Sequence, residues 1–194
     1  MTLRNIASLL ALGLTAICAP NCPGAEPPTA KTLFDFETAD ELTMWRASGV
    51  TAEWTADHAT HGQHAVLLTY KPGDGLQTFI QDGGARKLGL AGFTHLVIDC
   101  YAPVNMEITV KLKSTQGTRK WEKVFALEPG ANTLAIPFEG TGIDPATLEY
   151  INLFTGGLKA ETVLYMDNVR GANVTTAAVP RPPAKPEMPD EERF

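Results

Sequence analysis

No window between Lys31 and Gly171 repeats its apolar residues at the helical spacing of three and four. A chain of that kind has to build its core from strands. The apolar runs are short, and Gly, Pro, Asp and Asn break them. They predict strands over Thr32–Glu37, Met44–Ser48, Ala52–Thr55, His64–Tyr70, Leu76–Gln81, His95–Ala102, Met106–Ser114, Arg119–Leu127, Asn132–Phe138, Tyr150–Thr155 and Thr162–Val169. Many short strands separated by turn signals point to an antiparallel sandwich or barrel. No helix of ten residues stands between strands, which excludes parallel βαβ units. The expectation is therefore all-β and a single domain.

Two strands carry a clean period of two. Ile108, Val110 and Leu112 face one way, and Glu107, Thr109, Lys111 and Lys113 the other. That is a half-buried strand with one wet face. Leu134, Ile136 and Phe138 repeat the pattern after Pro129–Asn132, which reads as a turn. The run Leu96–Tyr101 is nearly all apolar and is expected to be central. Asp144 followed by Pro145 predicts one capped helical turn over Asp144–Leu148.

The ends read differently. Arg4, an apolar run from Ile6 to Ala19 and a Pro/Cys/Gly stretch have the layout of a secretory signal peptide over residues 1–25. The apolar run is shorter than the roughly 20 residues a membrane-spanning helix needs. A short linker is expected over 26–30, the sandwich over 31–171 and a tail over 172–194. The tail segment VPRPPAKPEMPDEERF is rich in Pro and charge, and cannot bury enough surface to offset its ordering entropy. It reads as extended or disordered, and as the place where a protein partner could dock. The leader implies a secreted or periplasmic protein. Cys18 and Cys22 leave with it, and neither follows a lipoprotein Leu-x-Ala/Gly pattern. Cys100 then stands alone in an apolar strand and reads as an inert buried thiol.

Charge excludes one class of partner. The net charge is −6 and the basic residues are not clustered, whereas a nucleic-acid binder shows a basic stripe or patch. Catalytic motifs are missing too: no nucleophile elbow, no HExxH, no Gly-rich phosphate loop. Gly73-Asp74-Gly75 and Gly83-Gly84 read as loop glycines. The expectation is a protein that is not an enzyme. A lyase built on Tyr, His and Lys leaves no short motif, so a small polysaccharide-acting enzyme stays among the alternatives.

A series of segments carries a resemblance: LFDFE at residues 33–37, Trp45, ATHGQHAVLLTY at 59–70, Trp121 with the strand after it, Pro129–Thr133, and VLYMDNVRG at 163–171. In that order they resemble the galactose-binding-like jelly-roll domains, which include many carbohydrate-binding modules. The resemblance spans nearly all of Lys31–Gly171. It implies a jelly-roll sandwich and a non-catalytic exported binding domain for a polysaccharide or cell-surface glycan. It also implies a structural calcium, with Glu37, Asp167, the carbonyls near Thr60 and Gln63, and Asp35 as an extra ligand. Hard oxygen donors of that kind suit calcium. The local pattern adds to this, because Asp167 falls on a face with Val163, Tyr165 and Val169, where an unpaired acid is costly. Hydrogen bonds from backbone N–H groups would satisfy it equally well. A structural or adhesion domain that binds another protein is the second reading.

Sugar sites stack pyranose rings on exposed aromatics and add a few polar groups. Tyr101 with Asp99, and Trp121 with Lys123, each set an aromatic beside a polar group on one strand face. They are the expected ligand-binding residues, with Trp54 and Tyr70 as further aromatics. Trp45 is expected in the core, as in the family. His58, His61 and His64 recur every three residues, a spacing that a helix would nearly align for zinc or copper. Gly62 interrupts the segment and a strand starts at His64, so it reads as a polar turn.

Overall fold

The computed structural model describes residues 29–73, 75–82, 89–116 and 120–174. The expected leader, the first residues of the linker and the tail from residue 175 lie outside these. The strands are β1 Ala30–Phe34, β2 Trp45–Ser48, β3 Val50–Thr55, β4 Ala65–Tyr70, β5 Gln77–Asp82, β6 His95–Ala102, β7 Met106–Ser114, β8 Lys120–Leu127, β9 Gly130–Pro137, β10 Leu148–Thr155 and β11 Thr162–Ala172. A four-residue helix, α1 Ala39–Leu42, and a 3-10 turn, Pro145–Thr147, complete them. Asp144 caps that turn, its carboxylate accepting from Ala146 N at 2.9 Å.

The strands form two antiparallel sheets. In the first the order is β3-β4-β11-β6-β9, with β1 also pairing with β11. In the second it is β2-β5-β10-β7-β8. Their facing sides make one core. Ile108, Val110 and Leu112 from β7 meet Leu96, Ile98, Leu134, Leu164 and Met166 from the first sheet, all buried. Trp45 stacks on Phe79 with 4.6 Å between ring centres and lies edge-on to Phe34 at 5.2 Å. Each such side chain, once buried, is worth about 1.5–3 kcal/mol, and that sum opposes the entropy of ordering the chain. The chain is an all-β jelly-roll sandwich and a single domain.

The pattern errs where the backbone leaves its regular course. Asn168 takes φ of 45°, and the pairing of β11 with β6 shifts between Asp167 and Arg170. This bulge inserts one residue and flips the strand. Val169 turns inward, fully buried, and Arg170 joins Asp167 on the outer face. The shared face of Asp167 and Val169 is thereby lost. Pro129–Asn132 is turn only at its start, since β9 begins at Gly130. Helix α1 is too short to show a period. The fold also runs past Gly171: Ala172 closes β11, and Asn173 N donates to Thr29 O at 2.9 Å.

Candidate functional site

On the outer face of the first sheet, acids gather around the loop from Ala56 to His64. Asp167 is 1% exposed. Its Oδ2 accepts from Thr60 N (2.8 Å), Thr60 Oγ1 (2.9 Å) and His61 N (2.7 Å), and its Oδ1 from Asn168 N (2.6 Å). Glu37 Oε1 accepts from Gln63 N at 2.8 Å and His64 N at 3.0 Å. Asp35 Oδ1 accepts from Glu37 N, and Glu41 Oε2 from Phe36 N. The N–H bonds from Gln63 and His64 hold the Glu37 carboxyl below its ordinary value. Burial pushes Glu41 up, with Asp35 and Asp167 adding to the rise against the N–H bond from Phe36.

This geometry differs from the expected calcium set. Thr60 and Gln63 turn their N–H groups, not their carbonyls, to the carboxylates. Calcium needs oxygen donors, and the oxygens of Asp167 and Glu37 nearest the loop are taken up by hydrogen bonds. Among the described residues, no three His, Cys, Asp or Glu side chains converge as metal ligands. In this arrangement backbone N–H groups satisfy both carboxylates without an ion. Gly62, at φ of 70°, is required here, because a Cβ would run into the Glu37 carboxylate.

The three histidines separate. His58, also in the left-handed region at φ of 54°, stacks on Tyr101 at 3.7 Å and meets Tyr165 edge-on at 4.5 Å. His64 stacks on Trp54 at 3.8 Å and lies 3.8 Å from Glu37 Oε2. Trp54 is 40% exposed, with its indole N–H on the Phe36 carbonyl. Tyr70 is a core residue, and burial pushes its hydroxyl up.

The four expected ligand-binding residues fall on two different sheets and form no common site. Asp99 and Tyr101 lie on β6, in the first sheet. Asp99 is buried and fully engaged: Thr133 Oγ1 and Asn168 Nδ2 donate to it at 2.9 Å, and Arg170 forks onto both of its oxygens. Tyr101 is covered on one face by His58. Trp121 and Lys123 lie on β8, at the edge of the second sheet. Trp121 pairs with Leu112 and packs against the core, because the strand alternation turns it inward. Lys123 holds its ammonium 5.3 Å from the Phe125 ring centre.

A different face has the character expected of a site. On the outer side of the second sheet, the register lays Arg46, Ile80, Asn152, Lys111 and Glu122 in one row across all five strands. Tyr150 and Phe154 stand two residues either side of Asn152, half-buried, with Thr78, Thr109 and the exposed Val124 in the row of Phe154. Residues two apart on a strand share a face and lie about 6.7 Å apart. Asn152 is buried, and its Oδ1, closed to solvent, has no hydrogen-bond donor among the described residues. An unmet buried acceptor costs about 1–3 kcal/mol. Lys113 pairs with Glu149 and Lys120 with Glu122, each at 3.4 Å. The strand Tyr150–Thr155 reads as nearly continuous apolar sequence, which hid this face. The lone Asn between two aromatics at i−2 and i+2 was the available signal.

Neither a protein-family model nor a curated protein matches the sequence. Solved structures do. An agarase superposes with a TM-score of 0.60 at 13% identity, over 76% of this chain and 25% of that one, so the chain spans about a quarter of the enzyme's length. A family 11 carbohydrate-binding module from Clostridium thermocellum, in complex with a β-1,3-1,4-mixed-linked tetrasaccharide, gives 0.55 at 16% identity, over 75% and 96% of the two chains. The solution structure of a family 11 module gives 0.56 at 15%, over 78% and 99%. The chain thus has the jelly-roll sandwich fold of the carbohydrate-binding modules.

Proposed function

We propose that this chain is a non-catalytic carbohydrate-binding domain and that it takes a glycan chain on the outer face of the second sheet. The observation that carries the reading is the pair of half-buried aromatics Tyr150 and Phe154, which flank Asn152 on the outer face of β10 with Lys111 and Thr109 beside them. Sugars present apolar ring faces and hydroxyls together. Aromatic side chains suit the first, and the polar side chains of Thr109 and Lys111 beside them the second. The likeness to sugar-binding modules over nearly their whole length supports the same reading, and the leader-like residues 1–25 support export.

Affinity electrophoresis of the full chain through gels containing mixed-linked β-glucan, agarose, carrageenan or polygalacturonate tests it. Retardation by at least one polymer, lost in Tyr150→Ala and Phe154→Ala but kept in Tyr101→Ala, is the expected result. Unretarded migration in all four gels sinks the reading. So does retardation that both variants leave intact.

A further inference from the structure

We infer that the glycan is acidic, its carboxylate or sulfate held by Lys111; the inference rests on the carbohydrate reading above. Lys111 lies one strand from Asn152, about 4.8 Å away in the hydrogen-bonding direction. It is half-buried, and its ammonium has neither an ion-pair nor a hydrogen-bond partner among the described residues. The neighbouring lysines differ: Lys113 and Lys120 each have a carboxylate within 4 Å. Glu122, across from Lys111 in register, turns instead to Lys120. The row therefore sets a lysine without a carboxylate partner beside Asn152, between the strand positions of two half-buried aromatic rings. A sugar hydroxyl can accept from that ammonium, and an acid group does so through a charge-assisted hydrogen bond of about twice the strength.

The net charge of −6 opposes a polyanion at long range. That repulsion is screened beyond about 8 Å at physiological salt, whereas contact between Lys111 and an acid group lies within that length and is screened less. The local cation decides.

The test uses the full chain, titrated calorimetrically with polygalacturonate, carrageenan, agarose and mixed-linked β-glucan. Tighter binding to an acidic polymer is expected, weakening with added salt. Polygalacturonate alone marks a carboxylate ligand and carrageenan alone a sulfate; either supports the inference. Lys111→Gln, melting as the parent does, is expected to bind the acidic polymer about tenfold more weakly. Lys111→Arg is expected to keep the affinity. Equal affinity for acidic and neutral polymers, or a Lys111→Gln variant that binds as the parent does, overturns the inference and leaves the carbohydrate reading standing. No binding to any of the four overturns both.

Discussion

Replacing Asp167 with Ala removes the anchor of the Ala56–His64 loop. Three bonds from Thr60 and His61, at 2.7–2.9 Å, end on one oxygen of a carboxylate that is 1% exposed. Hydrogen bonds to charged groups contribute about 1.5–3 kcal/mol each. Thr60 and His61 are themselves exposed, so their N–H groups regain water once released. The low end of the range applies, and three bonds give a loss of about 4.5 kcal/mol. Against a total stability of roughly 5–15 kcal/mol this is severe. It corresponds to a fall of about 10 °C in melting temperature for a chain of this size. Urea titration followed by tryptophan fluorescence measures the free energy, and calorimetry the melting point. The same series in calcium and in EDTA separates the causes. If backbone N–H groups satisfy the carboxylate, the parent melts alike in both and the variant loses the same amount in each. A melting point within about 3 °C of the parent's would falsify the anchoring argument, and a parent that itself melts lower in EDTA would restore calcium.

Three further outcomes follow from the same geometry. Glu37, held below its ordinary 4.5 by N–H bonds from Gln63 and His64, stabilises the fold above that value and loses the contribution as pH falls through its lowered folded value. Urea midpoints recorded from neutral pH down past 4.5 should show a shallower acid decline in Glu37→Gln than in the parent. Trp121→Ala should lower stability by about 2 kcal/mol through lost packing while leaving any polysaccharide affinity intact, which paired denaturation and gel retardation would check. Cys100, its thiol pushed up to about 12 by burial, should resist a thiol reagent in the native state and react only after unfolding, as mass spectrometry of the alkylated chain would show.

The architecture was legible because strand alternation is a direct imprint of a two-sided sheet. His95–Ala102 and Met106–Ser114 match their strands residue for residue, and the other strands differ only at their ends. The site was not legible in the same way. Alternation says that Trp121 and Lys123 share a face, but not that β8 is an edge strand whose inward residues remain partly exposed. Asp99 resembled a sugar-binding acid because its partners, Thr133, Asn168 and Arg170, come from strands distant in sequence. The bulge at Asn168 was invisible, since a single left-handed residue leaves no trace in an apolar pattern. Asn152 became noticeable only when the register placed Lys111 and Ile80 at its sides.

The pairing of β1 with β11 also has a mechanical meaning. Ala30 lies opposite Ala172, so the described chain starts and finishes at one corner of the sandwich, on neighbouring antiparallel strands. Tension applied through both ends would load that ladder from its open end and part its hydrogen bonds one after another, as a zipper opens, rather than shearing them together. Such a domain yields to gentle pulling from its own ends, yet resists a load applied broadside through β10, which hydrogen bonds hold on both flanks.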